Sequence, residues 1–124
     1  THPDIQGVQG SAVGDVVGAG RAIEEAGRAE QIAVVGTSIP SYAGELLKTG
    51  AVDLAMAWDP ATAGFAANVV AMMVLKGDKI KDGMDLKVPG YEKIKLVTNK
   101  AGTPIIYGAA WLKMDAKNMD QYQF

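Results

Sequence analysis

The 124-residue sequence contains no cysteine and a single histidine. The first absence excludes a disulfide framework and thiolate metal sites. The second leaves His2, near the start of the chain, without a partner for the usual nucleophile–base pair. A solvated terminal side chain is the simple expectation for it. There is no basic excess: 12 lysines and arginines face 14 acidic residues, for a formal charge of -2. A nucleic-acid binder would carry a basic patch or stripe, so no nucleic-acid partner is expected. No apolar run reaches the roughly 18 residues of a membrane span, and no basic-then-apolar leader opens the sequence. Serines 11, 38 and 41 lack the GxSxG context of a nucleophile elbow. Glu24, Glu25 and Glu45 fall at helix-surface positions. No catalytic residue, metal ligand or cofactor is assigned, and the chain reads as a binder and not an enzyme.

What is present is apolar residues at 48% and charged residues at 21%, the balance of a globular chain with its own core. Glycine is in excess, with 15 residues, where ordinary usage of about 7% would give about nine. The glycines fall between short segments, as punctuation does. Residues 5–9 form an extended candidate ending at Gly10. Asp15 can cap a helix over residues 16–26, in which Val16, Ala19, Ile23 and Ala26 recur at helical spacing and Gly27 is the stop. The run QIAVVG at 31–36 reads as a strand buried on both faces. Pro40 opens a helix to Lys48, with Gly50 beyond it. VDLAMAW at 52–58 is a third strand, and Asp59-Pro60 starts a helix to about Lys76. This β-α-β-α-β-α alternation predicts a parallel sheet with helices on its faces. Asp53 reads as a structural polar residue where loop becomes strand.

The remainder breaks the alternation. Residues 82–99 read as an alternating strand near an edge, and residues 103–108 as a short extended piece. The last segment closes on Tyr122 and Phe124 and is expected to dock onto the fold. Trp111 is expected to pack that tail. The helix from Pro60 is too apolar for a surface of its own, so the chain reads as an incomplete portion of a larger protein.

Ligands of open α/β sheets gather at the carboxyl ends of the strands. Three loops should therefore converge: residues 10–15, 37–41 and 57–60. The first, GSAVGDVVGAG, matches neither GxGxxG nor GxxxxGK[ST], which argues against a nucleotide. Gly10 and Gly14 would let the turn lie close to a small ligand. Trp58 closes the third strand at this edge. Its indole suits the C–H face of a sugar, although a core tryptophan fits the local pattern equally well.

These segments carry a family likeness. AIEEAG, IAVVGTSIP, LLKTGAVDLAMAWDPATAG, VVAMMVLKGDKIKDGMDLKVPG and DAKNMDQYQF, in that order, resemble the C-terminal part of type I periplasmic solute-binding proteins. The likeness is especially to the rhamnose-binding and autoinducer-2-binding branch. The resemblance implies two Rossmann-like lobes of parallel sheet joined by hinge crossovers, with a small sugar or polyol clamped between them. Residues 1–57 would belong to the C-terminal lobe, 58–103 to the N-terminal lobe, and 104–124 to the C-terminal lobe again. Ala57, Asp59, Pro60 and Pro104 would lie at hinges. Ser11, Val13, Thr37, Ser38 and Trp58 would face the ligand. The missing N-terminal portion and a membrane permease would be the partners, in the periplasm or anchored outside the membrane.

Departures are visible. The autoinducer branch has Pro-Asp-Ala where this chain has Ser11-Ala12-Val13. Many pentose and hexose binders place an aspartate in the second loop, which here reads Thr37-Ser38-Ile39. Tryptophan at 58, where ribose-type relatives often have a polar contact, points to a less polar ligand such as a deoxysugar. The alternatives are an autoinducer-2-type signal, or the sensor domain of a transcription regulator of the same fold. The residues upstream of Thr1 would separate an importer from a regulator.

Overall fold

The structure, a computed structural model, describes residues 2–124. These fall into two compact units, one of residues 2–57 with Leu112–Phe124, the other Trp58–Trp111.

In the first unit, strands β1 (Gly7–Gly10), β2 (Ala33–Thr37) and β3 (Leu54–Trp58) alternate with helices α1 (Val13–Glu25) and α2 (Pro40–Thr49). The strands are parallel, with Gly10 opposite Gly36 and Thr37 opposite Met56. Together with β6 (Trp111–Met114) they form a four-stranded sheet in the order β1-β2-β3-β6. The predicted alternation is thus present, and the reason is burial. Val34 of β2 and Ala55 of β3 have no exposed surface, and α1 and α2 cover them with Val16, Ile23, Leu46 and Leu47. The buried positions Val16, Gly20 and Ile23 of α1, and Ala43, Leu46 and Leu47 of α2, recur at helical spacing, so each helix presents one stripe to the sheet.

Gly20 sits where α1 crosses the segment before β3. A Cβ there would come within 2.7 Å of the Val52 side chain. Asp53 has the structural role its position implied. Its carboxylate accepts the Val34 N–H at 2.7 Å while its own N–H donates to the Val34 carbonyl at 2.9 Å, which locks β3 to β2.

The second unit is built around α3 (Pro60–Leu75) and an antiparallel pair, β4 (Lys95–Thr98) and β5 (Pro104–Tyr107). Its core is Ala66, Leu86, Val88 and Ile94, with Val69, Val70, Met73 and Ile106 packed around them. Asp59 caps α3: its carboxylate accepts the Ala61 N–H at 2.8 Å and the Thr62 hydroxyl at 2.7 Å. The helix is apolar on every side, yet Ala66 is its only buried residue. Phe65, Met72, Val74 and Leu75 stand exposed. This is the uncovered surface anticipated from its composition.

Several boundaries differ from the sequence reading. α1 starts at Val13, three residues early, and Asp15 lies inside its first turn and not at the cap. The 82–99 strand shrinks to β4, because Gly83, Lys87 and Gly90 all adopt left-handed φ and turn the chain before it. Pro104, expected where the chain returns to its first unit, instead opens β5 opposite Thr98. The return comes at Leu112. Trp111, expected to pack the tail, is 56% exposed.

Candidate functional site

The carboxyl edge of the parallel sheet is set by register. Gly10 pairs with Gly36, so Ser11 and Thr37 occupy equivalent places at the ends of adjacent strands. Thr37 pairs with Met56, and Trp58 stands two residues farther along β3, roughly 7 Å at the rise of an extended chain. The first two loops therefore leave from neighbouring strand ends, and the third follows β3, which ends at Trp58.

Each loop is fixed differently. After β1, the Asp15 carboxylate accepts the Ser11 and Ala12 N–H groups at 3.1 and 3.0 Å, with the Ser11 hydroxyl at 3.4 Å. Side chain and loop thus satisfy each other as in half of a capping box. A phosphate-binding loop would leave those amides for its anion. Here a carboxylate of the chain occupies that place, and the loop is suited to a neutral ligand. Gly10 serves internal packing and not ligand approach, since a Cβ on it would lie 2.8 Å from the Val16 side chain. Gly14 has open space around it.

After β2, Ser38 donates its N–H to the Met56 carbonyl at 3.1 Å, tying the loop to β3. Its side chain is completely buried, and its hydroxyl has no hydrogen-bond partner among the described residues. Thr37 is half-buried. After β3, Ala57 is buried and Trp58 is 57% exposed. The indole is thus uncovered by the rest of this chain, as are Phe65 and Met72 on α3. Asp59 and Pro60 follow as the cap and first residue of α3. The Asp59 carboxyl is held below its ordinary range, first by the Thr62 hydroxyl and then by the Ala61 N–H.

Of the expected ligand residues, Ser11, Val13, Thr37 and Trp58 retain accessible surface, whereas the Ser38 side chain has none. An open groove of about 500 Å³ runs between α1 and α2, lined by Val13, Gly14, Val17, Gly18, Arg21 and Tyr42. It extends two turns along α1 from the strand ends and shares only Val13 with the expected set. The sequence reading overlooked Tyr42. It is 64% exposed in the first turn of α2, close in sequence to the second loop. Its place directly after Pro40-Ser41 was the available signal. Among the described residues no cluster of histidine, cysteine or carboxylate could hold a metal, and no helix is long and apolar enough to cross a membrane. His2 is exposed.

The periplasmic binding protein domain family matches residues 1–79, more than half of the sequence. The chain belongs to this family. Its members are solute-binding proteins.

Comparison with curated protein sequences gives no match. Solved structures are similar in fold. A sugar ABC transporter protein from Actinomyces odontolyticus superposes with a TM-score of 0.74 at 20% identity, covering 99% of this chain and 38% of its own. LsrB from Clostridium saccharobutylicum, in complex with AI-2, gives 0.67 at 17% identity, with 99% and 41% covered. A solute-binding protein from Clostridium phytofermentas with bound L-rhamnose gives 0.64 at 15% identity, with 96% and 40% covered. This periplasmic binding protein chain thus spans about two-fifths of the length of these structures.

Proposed function

We propose that this periplasmic binding protein is the solute-binding component of an ABC importer and that its ligand is a small sugar, with a deoxyhexose favoured over a pentose or hexose. The observation that carries this reading is Trp58. A tryptophan more than half exposed ends β3 at the edge where the Ser11 and Thr37 hydroxyls also lie. An apolar face beside a few hydroxyls is what a sugar with one deoxygenated carbon requires. The self-satisfied Asp15 loop argues for a neutral ligand over a phosphorylated one. L-rhamnose bound to a protein of the same fold agrees in kind.

On this reading Ser11, Val13, Thr37 and Trp58 contact the sugar, Ser38 supports the loop from beneath, and the chain changes lobes near residues 57–60. The other lobe and the membrane permease complete the assembly outside the cytoplasmic membrane. The exposed apolar surface of α3 and the open edge of β1 are consistent with further chain covering them, since parallel sheets are ordinarily enclosed.

Calorimetry on the full-length protein with rhamnose, other deoxyhexoses, pentoses, hexoses and autoinducer-2 tests the assignment. At least one sugar should bind well below millimolar. Trp58→Ala should weaken it by about 1–3 kcal/mol on the scale of ring stacking, roughly ten- to hundredfold. Unchanged affinity with the fold intact would remove Trp58 from the site. Autoinducer-2 binding alone would replace the sugar by a signal molecule.

A further inference from the structure

The β2–α2 loop is held by an element distant in sequence. α2 begins without a side-chain cap: its N-cap is Ile39, and Pro40 follows with no N–H to satisfy. The Tyr42 N–H bonds back to the Ile39 carbonyl at 3.1 Å. That leaves the Ser41 N–H, and it donates to the carbonyl of Phe124 at 3.2 Å. The acceptor that Ser, Thr or Asp would ordinarily supply at the cap thus comes from the last described residue.

The tail is shaped to deliver that carbonyl. Asp115 accepts the Lys117 and Asn118 N–H groups at 2.8 and 3.2 Å, and the Asn118 amide donates to the Lys113 carbonyl at 2.9 Å. This turn launches a short 3-10 helix, Met119–Gln121. Met119 is buried in the core and its methyl lies 3.3 Å from where a Cβ on Gly44 would be. A glycine at 44 therefore leaves room for the tail on α2. Tyr122 packs against the same core, its ring 5.9 Å from that of Phe124. An open cleft of about 250 Å³ remains between the tail and Pro40-Ser41, so a few anchors hold it and not continuous packing.

We infer that residues 119–124 are a positioning latch: by capping α2 they fix the Thr37–Ser38–Ile39 loop at the carboxyl edge. Its bearing on affinity rests on the sugar-binding reading above, whereas its bearing on the loop does not.

The test is hydrogen exchange on the full-length protein with residues 122–124 deleted. Exchange across 37–43 should accelerate about fivefold or more, the consequence of losing one ordinary cap, while Val34 and Ile23 remain protected. Adding Ile39→Thr, which keeps a branched side chain and places an acceptor at the cap, should restore protection. Sugar affinity, measured with L-rhamnose or whichever sugar binds the parent, should fall about three- to tenfold with the deletion and recover with Ile39→Thr. If the deletion unfolds the protein, Tyr122→Ala keeps the chain length and is read by the same criteria. Unchanged exchange at 37–43, or no recovery with Ile39→Thr, overturns the latch. Altered and rescued exchange in a protein that binds no sugar keeps the latch and refutes the functional reading alone.

Discussion

Replacing Ser38 by alanine removes a hydroxyl that is completely buried and lacks a partner among the described residues. A hydroxyl placed so costs about 1–3 kcal/mol of lost hydration. The void left by one oxygen is small. At about 24 cal/mol per Å³ over roughly 15 Å³ it costs about 0.4 kcal/mol. Ser38→Ala should therefore stabilise the protein by about 1 kcal/mol, reversing the usual sign for a core substitution. In urea, the midpoint should rise with an unchanged slope. The melting temperature of the full-length protein should rise by about 2 °C, since the shift per kcal/mol falls as the chain lengthens. The Ser38 N–H bond to Met56 is backbone and survives the change. Sugar affinity should accordingly stay within about twofold, under half a kcal/mol. A fall in stability of about 1 kcal/mol would refute the reasoning, because it would mean that the hydroxyl is paired, for instance through an ordered water. A tenfold loss of affinity at unchanged stability would instead make Ser38 a ligand contact exposed when the site opens.

Leu47→Ala should be costly by about 2–5 kcal/mol, read as a lower urea midpoint, because Leu47 is 1% exposed at the contact of α2 with the sheet. Asp59 should make α3 acid-sensitive. Its folded pKa is lowered by Thr62 and Ala61, so its contribution is complete above the ordinary carboxylate range near pH 4 and disappears as the pH falls through the lower folded value. Amide resonances of Ala61 and Thr62 should report this fraying, and Asp59→Asn should abolish its pH dependence while retaining a cap. A first turn that stays ordered after the Asp59 carboxyl is protonated in the parent would show that the carboxylate is not what holds it.

Elements governed by local chemistry were legible in the sequence. The parallel alternation follows from β-branched runs separated by helices of 3.6-residue spacing. Asp59-Pro60 and Gly50 mark helix ends because a carboxylate acceptor, a fixed φ and a left-handed φ of 76° are properties of those residues themselves. Asp53 could be placed for the same reason. The exposed apolar face of α3 was foreseeable from composition alone, since a helix without a polar face has nothing to turn toward water.

The site's finer construction depended on contacts across long sequence separations. Composition cannot say whether Trp58 faces solvent or core; its exposure is decided by where β3 ends relative to its neighbours. Ser38 and Thr37 are adjacent polar residues, yet strand alternation and the Met56 contact bury one and leave the other half open. The early start of α1 follows from Asp15 folding back on Ser11 and Ala12, one of two caps the same aspartate could have formed. Ile39 is a poor cap by type, and the Ser41 N–H that follows it is served instead by the carbonyl of Phe124, 83 positions from Ser41 in sequence. Local residue preferences determined which segments became strands and helices; long-range packing decided which side chains reach the edge of the sheet, because that depends on what each loop meets after the chain has folded.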